Sequence, residues 1–493
     1  MRKLFLLNLI ITGVLALQSD FLYAQKKATG NADALKTTAL NDVQSQYDLY
    51  KKTEQQIWSY AEVGYKEYKS SHLLQQVLRD NGFTVDSGVA EMPTAFVATY
   101  GSGKPVIGIL AEFDALPGLS QDTSPEKHPR PDMKEVNAGH GCGHHLFGTA
   151  SVAAGVELKK LIETGKLKGT IKVYGCPAEE GGSGKVYLVR AGLFNGVDVV
   201  MHWHPGDRNA VNAGRSMANI SAKFRFHGIS AHAAASPEKG RSAVDAVEAM
   251  DNMVNMMREH IPSSTRIHYI ITNGGKAPNV VPDFGEVYYY VRNQDREIVR
   301  SVFERVVNAA KGAALGTGTT MDYEITGGVY DLLPNMVLSE AMYKNLVKVG
   351  GVTYTAAEEA YAKKIQTSFD FKAPDVEAAS KIDSLKADTS GEGFGSTDVA
   401  DVSWTVPTVG LSTATWVPGT PAHSWQAVAA GGMEIGAKGM INAAKAIVLT
   451  GIDLFTQPAL IGKATAEFNR AKGAGFQYRP MLGDRKPALN YRD

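Results

Sequence analysis

The chain has 493 residues, 44% of them apolar, which is ample for a large core and more than one compact domain usually holds. Lys plus Arg and Asp plus Glu both total 51, so the formal charge is zero. This balance argues against a nucleic-acid or anionic-membrane surface as the main partner and leaves small molecules and proteins.

The N-terminus has the pattern of a leader. Arg2 and Lys3 are positive, Leu4 to Leu17 form an apolar stretch of signal length, and Ala24 before Gln25 offers a cleavage point, with Leu22 larger than ideal two positions earlier. Residues 1–24 are expected to be a signal peptide, and the mature protein to be periplasmic or secreted. The alternative, an uncleaved anchor, is short for a span and runs at once into polar residues. No second apolar run is expected to reach membrane length, so no stable membrane insertion is expected after cleavage.

The spacing predicts helices over 43–64 and 70–82, then short apolar strands in AFVATYG and PVIGILAEFD. A helix follows over 146–164 and stops at Gly165. GTIKVYGCPAEEGG reads as a strand entering a loop, and VDVVMHWHP as another strand. Apolar strands alternating with helices indicate an α/β domain with a largely buried sheet. The pattern changes after Arg215. In MANISAKFRFHG, Ile220, Ala222, Phe224 and Phe226 fall on one face. The helix that follows carries Val244, Val247, Met250, Val254, Met257 and Ile261 on one stripe. Two more strands, a helix and a last strand complete a β-α-β-β-α-β order, the split ferredoxin-like arrangement, over 216–328. Helical character resumes at SEAMYKNLVKVGG. Residues 353–390 are polar and lysine-rich, VSWTVPTVGLSTATW is strand-like, and MEIGAKGMINAAKAIVLTGIDLF is a long helix. The tail, 463–493, is weakly patterned and is assigned no fold.

Several residues with ligand chemistry fall at element junctions. Cys142 and His144 flank Gly143 just before a helix, where a thiolate and an imidazole can converge. Glu179 and Glu180 follow a strand, so one can bind a metal while the other faces the attacking water. His202 and His204 end the next strand, and His423 lies in the loop GTPAHSW. A sulfur, imidazoles and a carboxylate suit zinc, with manganese possible. Taken singly, each is ambiguous. Cys142 could be a buried thiol or a disulfide partner of Cys176, the two glutamates a solvated pair, and any histidine a core or surface residue. Their common placement at junctions, where open α/β sheets gather their sites, favours a shared centre.

AEFDALPG, GHGCGHH, PAEEGG, WHPG, GISAHAAASPEKGRSAVDAV, NVVPD and GTPAHSW occur in order. Together they resemble the aminoacylase/carboxypeptidase family of dinuclear metallohydrolases, most closely its amidohydrolase branch of the p-aminobenzoyl-glutamate hydrolase B-subunit type. The likeness spans roughly residues 40–455. It implies a metallopeptidase-type catalytic domain, helices around a mixed sheet, in two parts (40–215 and 329–460). Between them it implies an inserted ferredoxin-like lid and dimerisation domain (216–328), and after them a C-terminal tail (461–493). It implies two divalent ions per chain, bridged by Cys142 and held further by His144, Glu180, His204 and His423. Glu179 would be the general base. His232 would reach into a partner subunit's site to stabilise the transition state. Asn279 and Arg292 would bind the substrate's carbonyl and carboxylate, and Asp114 would orient a metal-bound histidine.

Four departures stand out. Glu112 replaces a histidine ligand of the wider family, which leaves Asp114 either orienting or merely structural. His145 stands where aspartate is usual and could compete with His144. Cys176 stands where glutamine is usual. His202 is an additional histidine beside the expected ligand His204. The expected activity is hydrolysis of an amide joining an acyl or aroyl group to an amino acid bearing a free carboxylate, by a homodimer. A dipeptidase or carboxypeptidase with the same site, a non-catalytic binding protein and a thiol redox protein are the alternatives.

Overall fold

The computed structural model describes residues 32–133, 137–386 and 395–492. The expected signal peptide lies outside the described residues. Seven strands form the main sheet, in the order Thr84–Ser87, Phe96–Gly101, Thr170–Cys176, Val106–Glu112, Val199–Gly206, Thr408–Ala414, Ala210–Asn212. The four strands from Thr170–Cys176 to Thr408–Ala414 are parallel neighbours, and the outer ones pair antiparallel, so the sheet is mixed.

The parallel set explains the apolar runs. Val106–Glu112 is buried from its second residue onward because helices cover the sheet. The helices His144–Glu163 and Glu434–Thr456 pack on each other and on these strands. Glu434–Thr456 corrects the expectation that no second run is long enough for a membrane. By length and composition it qualifies, and 83% of its apolar window is buried inside the fold, as a core helix would be.

The inserted unit is a four-stranded antiparallel sheet in the order Arg266–Asn273, Phe284–Asn293, Ala218–His227, Thr320–Val329. Ile220, Ala222, Phe224, Phe226, Val287, Tyr289 and Val291 are buried on one face, against the helices Ala243–Met257 and Arg296–Thr317. On the expected helical stripe, Val247, Met250, Val254 and Met257 are buried, while Val244 and Ile261 are half-buried. Strict alternation in the sequence reports this one-sided sheet.

Two segments differ from their sequence reading. Within VSWTVPTVGLSTATW, only Thr408–Ala414 is a strand, and Val402 and Ser403 at its start close the short helix Val399–Ser403. The tail is ordered. Pro458–Lys472 is a helix that buries only Ala464 and Phe468, which is why it carries so little periodicity. Residues 473–492 then run back across the inserted domain, with Met481 and Leu482 buried.

Candidate metal centre

Because the central strands are parallel and in step, their carboxyl ends meet at one edge. Glu112 and Cys176 are register partners at that edge, and Ser412 pairs with His204. The loops leaving these ends carry the ligand chemistry, as the topology of open α/β sheets requires.

Gly143 shows how tightly the centre is built. Its φ is +75°, and a Cβ there would lie 2.6 Å from the Pro205 ring. Only glycine lets the Cys142 loop close on the His204 strand while His144 begins its helix. Cys142 is buried, with its Sγ 3.4 Å from His204 Nε2. His423 is itself held at φ +59°, and its N–H donates to the Gly141 carbonyl.

Two sets of three ligand atoms converge. In each set every atom lies within 4.8 Å of the others. One set is Cys142, His144 and His204; the other is Cys142, Glu180 and His423. Cys142 is common to both. A third set, Glu112, His144 and Glu179, adjoins them.

The surroundings set the ligands' protonation. His144 Nδ1 lies 2.8 Å from Asp114 Oδ1, and His204 Nδ1 lies 2.7 Å from the Pro205 carbonyl. Each ring can therefore donate through Nδ1, which aims Nε2 at the cluster, where a bound cation would displace any proton from His144. Burial, with the neighbouring His144 charge, lowers His204 to about 4, so it is neutral at pH 7. Asp114 also accepts the Glu180 N–H at 2.9 Å. Although burial works against its charge, the His144 ring and that N–H hold Asp114 below the usual carboxylate range. Asp114 thus touches both His144 and the Glu180 backbone, two of the candidate ligand residues.

The residues present fit divalent cations. His144 Nε2 and Glu180 Oε1 are buried without a well-directed hydrogen bond, although Glu112 and His423 lie 3.1 and 3.2 Å away. Burial, and then the Glu180 charge, push the Cys142 thiol well up, so a thiolate there requires an added positive charge. Burial, with Glu112 and Glu180, likewise pushes the Glu179 carboxyl well above its ordinary value.

The remaining sequence candidates sort by direction. His202 is buried over Gly410, whose absent Cβ would lie 2.2 Å from its Nε2, and it joins neither set. His145 Nε2 turns away to the Gly431 carbonyl at 3.1 Å, so it does not compete with His144. Cys176 is buried, bonds to the Tyr174 carbonyl and is free, as is Cys142, so no disulfide joins them. On the inserted domain His232 is exposed and joins neither ligand set. Its Nδ1 accepts the N–H groups of Ala234 and Ala235, which leaves the proton on Nε2. Asn279 is exposed in the adjoining loop, where its carbonyl accepts the Ala233 N–H. The Arg292 guanidinium lies 5.0 Å over the Tyr290 ring, and its Nε is buried without a partner.

Sequence reading missed two features. Lys185 is fully buried, 2.5 Å from Glu112 and 2.6 Å from Asp398, directly behind the cluster. A lone lysine in the apolar run KVYLV was the available signal. The second is the end of the chain: Tyr491 and Arg492 both donate to the Glu180 carbonyl. No pattern announced it.

A mixed sheet with thiol, imidazole and carboxylate ligands at its carboxyl edge, interrupted by a ferredoxin-like unit, defines a metal-dependent hydrolase with an inserted second domain. Residues 216–317 match the peptidase dimerisation domain of the M20 peptidases. The chain is 38% identical to the B-subunit of the Escherichia coli p-aminobenzoyl-glutamate hydrolase, over 86% of this chain and 93% of that protein. It is 29% identical to the mouse Xaa-Arg dipeptidase, over 84% and 87%. Among solved structures, an aminohydrolase from methicillin-resistant Staphylococcus aureus superposes with a TM-score of 0.63 at 17% identity, covering 85% of this chain and all of that one. A dinuclear metal-binding M20 peptidase of Bacillus subtilis gives 0.53 at 16% identity, over 83% and 99%. The chain belongs to the aminoacylase/carboxypeptidase family of metallohydrolases, the M20 peptidases. It is a hydrolase that uses divalent metal ions.

Proposed function

We propose that the mature protein is an exported, homodimeric, dinuclear amidohydrolase that releases an amino acid such as glutamate from an aroyl or acyl group, p-aminobenzoyl-glutamate being the model substrate. The observation that carries this reading is the pair of ligand sets sharing Cys142, with Glu179 beside them and in neither. Cys142, His144 and His204 would hold one cation, and Cys142, Glu180 and His423 the other. Sulfur and imidazole donors favour zinc over manganese. Such ions, when bound, polarise the scissile carbonyl and acidify the attacking water.

The chain's own groups do the rest. Glu179 takes the water's proton and delivers it to the leaving nitrogen. The charge of bound cations offsets the burial that raises its carboxyl, and so keeps it a base near neutral pH. His232, its proton on Nε2, donates to the oxyanion. Because it is exposed on the inserted domain, a partner subunit's site is the natural place for it. Arg292 offers a fork for the substrate carboxylate and Asn279 a donor for its carbonyl. Homodimerisation is supported by the matched dimerisation domain and by exposed Ile270 and Ile271 on the edge strand Arg266–Asn273. Export rests on residues 1–24.

A dipeptidase is the second reading, favoured by the likeness to the Xaa-Arg dipeptidase. Turnover of p-aminobenzoyl-glutamate, other N-aroyl and N-acyl amino acids, and dipeptides ending in arginine separates the two. A kcat/KM for p-aminobenzoyl-glutamate at least about tenfold above the dipeptides is expected, a gap worth about 1.4 kcal/mol. The reverse order makes it a dipeptidase. Bound metal with no turnover of any of them points to a binding protein or a missing second subunit.

A further inference from the structure

The turn that carries Glu179 and Glu180 is held in an unusual shape. Ala178 and Ser183 have φ of +55° and +56°, Gly181 has +92°, and Glu180 itself lies at φ −71°, ψ 67°. Left-handed conformations at non-glycine residues persist only where the surroundings enforce them. Most of the enforcement is local to the catalytic domain. The Ala178 N–H donates to Glu67 at 2.8 Å, the Glu180 N–H to Asp114 at 2.9 Å, and Tyr65 Oη to the Gly182 carbonyl at 2.8 Å.

The Glu180 carbonyl is different, because its partners come from the other end of the chain. It accepts Tyr491 Oη at 2.9 Å and the Arg492 guanidinium, enough to occupy both lone pairs. Tyr491 is seated edge-on to Tyr65 with centroids 5.6 Å apart, and a Cβ on Gly64 would lie 2.2 Å from its hydroxyl. Arg492 stacks 4.7 Å over the Tyr491 ring, and its Nη2 would stand 3.7 Å from a Cβ on Gly181. Upstream, the same segment is tied down at several points. Arg485 bonds Glu324 at 3.1 Å and the Ile325 carbonyl on the last strand of the inserted domain. Arg190 donates to the carbonyls of Gly483 and Arg485 at 3.1 and 2.7 Å, and Tyr478 to Asp401 at 2.7 Å. The end of the chain is therefore an anchored strap, not a loose tail.

We propose that Tyr491 and Arg492 are positioning residues of the metal centre. By donating to the Glu180 carbonyl they fix the turn that aims the Glu180 carboxylate at Cys142 and His423 and keeps Glu179 beside the reacting centre. The proposal rests on the reading of Glu180 as a ligand and Glu179 as the base. Groups that orient ligands without touching the metal commonly change affinity or activity by about 10–100-fold when removed.

The test uses the full mature chain with Tyr491→Phe, Arg492→Ala, Arg492→Lys and the double variant Y491F/R492A. Lys486→Ala serves as a control on the same segment, since it loses only an exposed pair with Glu91. Zinc binding to the metal-free proteins is measured by competition with a chromogenic chelator, alongside their melting temperatures, and kcat and KM with p-aminobenzoyl-glutamate. In the double variant, the weaker zinc is expected to loosen by about 10–100-fold and kcat to fall more than KM rises, with the metal-free melting temperature little changed. Arg492→Lys is expected to recover part of the loss, and Lys486→Ala to match the wild type. A double variant that binds both zinc ions as tightly as the wild type overturns the proposal. So does a loss of affinity that only tracks a lower melting temperature. If the wild type binds two zinc ions and hydrolyses nothing, the functional reading fails, while the zinc comparison still decides the positioning role.

Discussion

Lys185 offers a sharp test of how the floor of the site is built. Its Nζ lies 2.5 Å from Glu112 Oε1 and 2.6 Å from Asp398 Oδ1, all three side chains are buried, and its N–H also donates to Asp398 at 2.8 Å. The other Glu112 oxygen stands 3.1 Å from His144 Nε2. Lys185→Met keeps the volume and removes the one ammonium shared by two buried carboxylates. Breaking a buried pair from one side costs about 3–5 kcal/mol, because the charge left behind stays desolvated. The pH dependence has a defined sign. Burial raises the Glu112 carboxyl, and Lys185 is the strongest influence lowering it, so its removal takes the folded-state value further above the unfolded one. A carboxyl raised by folding disfavours the folded state at high pH and releases that penalty as it protonates. Urea unfolding of the metal-free chain at pH 8 is thus expected to show the full deficit, and at pH 5 a smaller one. Lys185→Met/Glu112→Gln is expected to recover at least about 1 kcal/mol through coupling of the neighbours. A deficit under about 1 kcal/mol at pH 8, or one that grows on acidification, would refute the reasoning.

Other expectations follow from single side chains. Gly143→Ala places a Cβ 2.6 Å from Pro205 at a φ of +75° and is expected to cost at least about 2 kcal/mol and to impair zinc binding, read by melting and chelator competition. His204→Asn is expected to lose one of two metal ions and His202→Asn neither, read by elemental analysis; the opposite outcome would exchange their roles. Burial depresses His202 to about 3, so it favours the folded state fully above about pH 6.5 and progressively less as pH falls toward 3. The acid limb of metal-free stability is therefore expected to flatten in His202→Asn, a difference of up to about 5 kcal/mol across that window.

Much of the site was legible because its residues sit where strands end. Glu179, Glu180 and His204 follow apolar runs, and Cys142 and His144 precede a long helix, so local periodicity locates them even though it cannot give strand order. The alternation of Ile220 to Phe226 likewise marked a one-sided sheet. What escaped reading depends on long-range contact. His202 and His204 lie two apart on one strand, and the bare Gly410 beneath His202 and the Cys142 thiol beside His204 tell them apart. Lys185 looks like one charge on a short helix until Glu112 and Asp398 arrive from elsewhere in the chain. The helix Pro458–Lys472 buries two side chains and so leaves almost no periodic trace. Tyr491 and Arg492 act on a backbone carbonyl, a partner that leaves no mark in the sequence.

Two metal positions sharing Cys142, with Glu179 as the base, are tested most directly by one paired measurement. Metal content per chain is determined for the purified protein and for Glu179→Gln, together with turnover of p-aminobenzoyl-glutamate by each. Two metal ions per chain in both proteins are expected, with kcat in the variant lower by about 10²–10⁴-fold. A wild-type chain with one ion or none would contradict the shared centre, and a variant with undiminished turnover would remove Glu179 from the chemistry.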